Sequence, residues 1–321
     1  MNVPIWKQIQ KQNFTNWKEL FTFLEISNEQ PFHLQSSFPL NIPRRLAEKI
    51  DKNTLDDPIL KQFIPLSEER LTSPHFRQDP VCDIAFRKEQ KLLHKYQGRA
   101  LLVCTSACAM HCRFCFRQNF PYETKQKGFE NELRAIAADD SIKEIILSGG
   151  DPLSLSNREL GKLIEELSLI PHLKILRFHT RFPIGIPERI DEELLDILSS
   201  CRLQIFFVLH INHAKEFDSD VASVLKQIKQ RGIPVLSQSV LLKGVNDDVQ
   251  SLKTLVETLV ENGIIPYYLH QLDQIQGGAH FEVDEKVGIE LIEQLRNELP
   301  GYAIPRYVKE VPHMQSKIPI L

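Results

Sequence analysis

The sequence has no apolar run that approaches the roughly 18 residues of a membrane-spanning helix, and residues 1–9 carry neither the basic region nor the apolar stretch of a secretory signal. These two absences predict a soluble, cytoplasmic protein. An excess of basic residues is also missing. The 39 Lys and Arg are balanced by 42 Asp and Glu for a formal net charge of −3, which argues against the clustered positive footprint of a nucleic-acid binder. No low-complexity tract interrupts the chain. Cysteine is scarce, with six in 321 residues, too few and too unevenly placed for a disulfide framework.

Half of those cysteines fall in one octet, Cys108-Ala109-Met110-His111-Cys112-Arg113-Phe114-Cys115. Thiolates are soft ligands for zinc, copper(I) or iron–sulfur clusters, and three on one short loop can face a single centre. No fourth cysteine lies nearby, because the others stand at Cys82, Cys104 and Cys201. A closed zinc site wants four protein ligands, so it would need His111 or a distant histidine. Three cysteines on a cubane cluster instead leave one iron open to a small molecule.

Residues 1–95 show helical spacing of aromatic and leucine residues (Trp6, Phe14, Trp17, Leu20, Phe21, Leu24) and then proline-punctuated connectors such as Ser37-Phe38-Pro39. This predicts a helical N-terminal extension, with Arg44 and Arg45 on its solvated surface. Beyond residue 95 the pattern becomes regular. Apolar runs at 100–104, 144–147, 174–178, 204–209, 234–240 and 264–269 alternate with amphipathic stretches at 130–138, 157–169, 191–199, 219–231 and 248–262. Such alternation is the signature of parallel βα units. The expected fold is α/β, a partial (β/α)6 TIM-like barrel over 96–283, followed by a C-terminal segment over 284–321.

Each predicted strand runs into a polar stretch. The first leads to the cysteine loop, the second to Ser148-Gly149-Gly150-Asp151, the third to His179-Thr180-Arg181 and the fourth to His210-Ile211-Asn212-His213. The fifth carries Gln238-Ser239 and the sixth leads to His270-Gln271-Leu272-Asp273. In a parallel barrel the strand C-termini share one rim, where barrel enzymes keep their chemistry. The six loops are expected to converge on one site.

A cysteine loop of this spacing after a first barrel strand resembles the signature of radical S-adenosylmethionine (radical SAM) enzymes, and Phe114 fits the aromatic position before its last cysteine. The resemblance narrows further. Leu93-His94-Lys95-Tyr96, Cys112-Arg113-Phe114-Cys115-Phe116-Arg117, Leu147-Ser148-Gly149-Gly150-Asp151, Gln238-Ser239-Val240-Leu241-Leu242, Pro266-Tyr267-Tyr268 and Gly301-Tyr302-Ala303-Ile304-Pro305 are similar, in order and spacing, to segments of the lysine 2,3-aminomutase family. Together they cover the chain from about residue 72 to 317.

The resemblance implies a [4Fe–4S] cluster on Cys108, Cys112 and Cys115, with S-adenosylmethionine on the open iron and a reducing electron donor. Ser148, Gly149, Gly150, Asp151 and Arg181 are the implied contacts to S-adenosylmethionine, although Arg181 equally suits a carboxylate partner. It further implies pyridoxal 5′-phosphate (PLP) as a Schiff base on Lys317, surrounded by Lys95, Tyr96, His210 and Gln238. Arg117 would bind the substrate carboxylate, and Asp273 with Glu310 the ε-ammonium of L-lysine. The implied reaction is L-lysine to β-lysine, as the R isomer in the branch of the family that serves elongation factor P modification. Structural zinc is not expected, since Asp248 occupies the place of a family zinc ligand and the sequence stops shortly after Lys317. Oligomeric state is left open. His213 and His270 read as buried, hydrogen-bonded histidines. The competing readings are a glutamate or arginine aminomutase and a non-catalytic iron–sulfur electron carrier.

Overall fold

Apolar strands and capped helices alternate along the chain as the sequence predicts. The computed structural model describes residues 3–27, 38–71, 73–122 and 126–321, and Ser37 of the proline-punctuated connector lies outside them. A 10-stranded sheet follows chain order from β1 to β10. The six expected strands are β3 (Arg99–Thr105), β4 (Glu144–Gly149), β5 (Ile175–Thr180), β6 (Gln204–His210), β7 (Val235–Val240) and β8 (Ile265–His270), each parallel to the next. The helices beside them are α5 (Glu130–Ala138), α6 (Asn157–Ser168), α8 (Glu192–Ser200), α9 (Ser219–Gln230) and α10 (Val249–Glu261), with the four-residue α7 (Phe182–Gly185) directly after β5. The fold is a partial α/β barrel whose sheet does not close.

Four strands lie outside the expected set. β1 (Arg87–Glu89) and β2 (Leu92–Tyr96) form an antiparallel hairpin on the β3 edge, so the end of the segment expected to be helical is part of the sheet. After α11 (Glu285–Glu298), β9 (Arg306–Lys309) joins β8 in parallel and β10 (Ile318–Pro319) turns back against it. The two edges bring Lys95 and Tyr96 to one margin of the barrel and Glu310 and Lys317 to the other.

Strand periodicity divides the sheet into two faces. Ile145, Leu147, Leu176, Phe178, Ile205 and Phe207 pack into the outer core, with the Phe178 and Phe207 rings stacked at 4.9 Å. Their neighbours Ile146, Ser148, Arg177, His179, His210 and Gln238 line an inner cavity. Helix starts are fixed by side chains. Ser156 and Glu159 form a capping box on α6, and Asp191, Asp218 and Asp248 cap α8, α9 and α10. Asp248 accepts from the Ser251 amide at 2.9 Å and thus has a local structural use.

The N-terminal helices α1 (Ile5–Gln10), α2 (Trp17–Leu24), α3 (Arg44–Glu48) and α4 (Pro58–Lys61) share the barrel's core. Trp6 meets Phe182 edge-on at 5.5 Å. Of the Arg44–Arg45 pair, Arg44 lies on the solvated surface expected of it and Arg45 does not. Arg44 pairs within its own helix with Glu48, whereas Arg45 reaches Glu188 at 3.2 Å, Asp218 at 3.1 Å and Asp220 at 2.9 Å, tying the extension to the outer helices. No helix among the described residues is long and apolar enough to cross a membrane.

Candidate active site

Every residue singled out from the sequence as catalytic, metal-binding, cofactor-binding or substrate-binding lines a single cavity of about 850 Å³ inside the barrel. One pole is the cysteine loop after β3. Its backbone is held by the N-terminal extension. The Gln10 amide donates to the Cys108 carbonyl at 3.2 Å and the Asn13 amide to Ala109 at 2.8 Å, while the His111 and Arg113 N–H groups donate to Asn41 and Gln62, each at 2.9 Å. The three thiols are close enough for Cys108 to feel both others, and burial pushes each of them up. His111 turns away from them, with Nδ1 at 2.9 Å from the Pro39 carbonyl and its ring stacked on Phe38. It does not complete a zinc site.

The end of β4 meets the cysteine loop through glycine. Gly149 has φ 123°, a conformation that favours glycine, and a Cβ on Gly150 would lie 2.3 Å from the Ala107 carbonyl oxygen. The side chain of Asp151 is not free for a cofactor ammonium. Its carboxylate accepts from the Leu153 amide at 3.0 Å, the Thr180 hydroxyl at 2.8 Å and the Arg181 and Phe182 amides at 2.8 and 3.1 Å. It pins the β5 turn. Arg181 has the carboxylate partner that was one of its two expected roles. Nη2 donates to Glu216 and to Gln62, both at 2.7 Å, and Nη1 donates to the Cys112 thiol at 2.8 Å.

The opposite pole is built from the two sheet edges. Glu310 accepts from Lys317 at 2.7 Å, from Lys95 at 3.0 Å and from the Tyr96 hydroxyl. Burial raises its carboxyl, but the Lys317 and Lys95 ammoniums outweigh burial and hold it down at about 2. Asp273 has no such partner among the described salt bridges, and burial lifts it to about 7 despite the nearby Lys317 charge. Arg117 donates to Asp83 at 2.8 Å and to the Ser148 hydroxyl at 3.1 Å, and Lys95 lies 3.4 Å from the same Asp83. Charges thus alternate across the cavity wall from Arg117 through Asp83, Lys95 and Glu310 to Lys317.

Residues 102–256 match the Radical SAM superfamily. L-lysine 2,3-aminomutase of Escherichia coli (strain K12) is 38% identical over 318 residues, 95% of this chain and 91% of that protein. The enzyme of that name from Haemophilus influenzae is 38% identical over 95% of this chain and 92% of its own. The chain belongs to the lysine 2,3-aminomutase family. Members of this family are radical SAM isomerases, and the radical SAM match implies a [4Fe–4S] cluster and S-adenosylmethionine. Among solved structures, a radical SAM methyltransferase from Sphaerobacter thermophilus aligns with a TM-score of 0.47 at 17% identity, covering 68% of each chain.

The site fits what lysine 2,3-aminomutase family membership implies. The thiols of Cys108, Cys112 and Cys115 all border the cavity, and three soft thiolates on one loop suit an iron–sulfur cluster. The cavity also contains orphaned polar atoms that mark room for a ligand. The Nε2 atoms of His179 and His210 are buried without a hydrogen-bond partner, and burial lowers both rings, His210 to about 3. His270 lines the same cavity, and His213 is hydrogen-bonded as expected, its Nδ1 accepting from the Lys215 amide at 3.1 Å, but half-buried rather than buried.

Sequence reasoning missed Asp83, Arg99, Gln62 and Glu216. Arg99, the first residue of β3, lines the cavity and lies over the Tyr96 ring at 4.8 Å, so the Tyr96-x-x-Arg99 spacing was a readable signal. No comparable local signal marks Glu216, which is fully buried within Ala214-Lys215-Glu216.

Proposed function

We propose that this protein isomerises L-lysine to β-lysine as a radical SAM, PLP-dependent 2,3-aminomutase. The observation that carries the reading is the distribution of charge around the cavity. The Arg117 guanidinium lines the cavity at one end of the row of alternating charges, and the carboxyl groups of Asp273 and Glu310 lie near Lys317 at the other. An amino acid with a carboxylate at one end and an ammonium at the other suits that arrangement, and an anionic glutamate side chain does not. The names of the relatives support the same substrate.

When bound, the cluster with S-adenosylmethionine supplies a hydrogen-abstracting radical, and PLP supplies an electron-delocalising ring that lets the amino group shift. The chain's residues do the rest. Cys108, Cys112 and Cys115 hold the cluster, and the Ser148–Gly150 strand end lets the backbone approach S-adenosylmethionine. Lys317 carries PLP, with Tyr96, Lys95, His210 and Gln238 around it. Arg117 takes the substrate carboxylate, a task for which a planar guanidinium fork is suited. Asp273 holds the side-chain ammonium, joined by Glu310 once Lys317 is engaged elsewhere. The barrel wall and the N-terminal helices keep water from the reacting atoms. The product is (R)-β-lysine for elongation factor P modification in the cytoplasm, a reading that rests on the resemblance of the motif set.

Anaerobically reconstituted protein, given a chemical reductant and assayed with lysine, glutamate and arginine, is expected to form the β-isomer of lysine alone, with the R hand in chiral analysis. Borohydride is expected to fix PLP on Lys317. A zinc-loaded protein without iron, a PLP label on another lysine, or a β-isomer from glutamate defeats the corresponding part of the reading.

A further inference from the structure

The contact between Arg181 and Cys112 is more than a buried arginine finding a neighbour. Arg181 is 6% exposed, Glu216 and Gln62 are 0% exposed, and both meet its guanidinium at Nη2. Glu216 Oε2 accepts from Nη2 at 2.7 Å, and Gln62 Oε1 accepts from the same nitrogen at 2.7 Å. The acceptors are themselves fixed. Gln62 Oε1 also accepts from Asn212 at 2.9 Å, its Nε2 donates to the Pro58 carbonyl at 2.8 Å and to Glu216 Oε1 at 3.1 Å, and Glu216 Oε1 accepts from the Asn212 and His213 amides at 3.1 and 3.0 Å. From this platform Nη1 reaches the Cys112 sulfur at 2.8 Å.

We infer that Gln62 and Glu216 clamp Arg181 against Cys112 so that this arginine sets the reduction potential of the iron–sulfur cluster. The inference rests on the reading in which Cys108, Cys112 and Cys115 hold that cluster. Hydrogen bonds to cluster sulfurs and nearby charge are principal determinants of cluster potential. A donated N–H and a positive charge at Cys112 stabilise the negative charge gained when the cluster takes up one electron from an external reductant. Arg181 therefore makes reduction easier. Gln62 belongs to the N-terminal extension, so that segment contributes to the electronics of the cluster through a positioning residue that touches neither substrate nor cofactor.

The test is an anaerobic redox titration with dithionite, followed by electron paramagnetic resonance, on wild-type, R181Q, R181K and Q62L proteins reconstituted to equal iron content and without S-adenosylmethionine. R181Q is expected to titrate at a more negative midpoint than wild type. R181K, which keeps the charge and loses the fork, is expected to fall between them, and Q62L to shift in the same direction by less than R181Q. A purely structural role would change the fraction of protein that takes up iron and leave the midpoint of the loaded fraction alone. R181Q, or R181K if R181Q takes up no iron, titrating with wild type overturns the inference, and Q62L titrating with wild type overturns the clamp. Wild-type protein that forms no four-iron cluster defeats the underlying reading and the inference together.

Discussion

The two poles of the cavity treat buried charge in opposite ways. At the cysteine pole the acidic side chains of Asp151 and Glu216 are saturated by the chain itself. Asp151 takes donors from β5 and its turn, and Glu216 takes Arg181, Gln62 and two amides. At the Lys317 pole, Glu310 is held by Lys317 and Lys95, and Asp273 has no cation paired with it among the described salt bridges. Complete internal pairing removes the penalty of a buried charge, whereas a buried carboxylate without a paired cation keeps that penalty and lowers stability.

This contrast can be broken by removing one carboxylate at a time. The largest effect is expected for Glu216→Ala, which leaves the Arg181 charge buried and should destabilise the protein by about 3–5 kcal/mol in chemical denaturation. Glu310→Ala should cost less, about 2 kcal/mol, because Lys317 retains 28% side-chain exposure and can be hydrated from the cavity. A loss equal to that of Glu216→Ala would remove the distinction between the poles. The smallest effect should have the opposite sign. Asp273 holds its proton up to about pH 7 when folded, against 3.8 ordinarily, so the folded protein keeps a proton that the unfolded chain gives up. Its contribution is neutral below about pH 4 and becomes unfavourable as pH rises towards 7. Asp273→Asn should therefore match wild type at pH 4 and exceed it by about 1–2 kcal/mol above pH 7, after screening by water in the cavity. Equal stability at both pH values would show that Asp273 is as well satisfied as Glu216.

The barrel was legible because its strands and helices announce themselves locally. Apolar runs end in polar stretches, and Asp191, Asp218 and Asp248 stand at the helix starts. The four edge strands were not, since β9 and β10 span only four and two residues and are held in place by partners rather than propensity. The same division applies to the site. Cys108, Cys112 and Cys115 carry their meaning in their spacing. The pairing of Arg181 with Gln62 joins residues 119 positions apart, and Lys95 meets Glu310 across 215. Neither partner differs in local sequence from a solvated residue, so only the folded sheet edges reveal them. The Asp151 side chain shows the converse hazard. Its motif pointed to a ligand, while the geometry gives its carboxylate to Thr180, Arg181 and Phe182.

The strictly sequential order of the sheet governs how such a cavity is assembled. Each strand pairs with the one that precedes it in the chain, so the wall can be laid down one strand at a time against an edge already in place. The hairpin of β1 and β2, closed locally, offers the first edge. The cost is propagation of error. A slip of one residue where β4 (Glu144–Gly149) joins β3 would exchange the faces of Leu147 and Ser148, and every later strand would copy the fault before Glu310 and Lys317 arrived to close the wall.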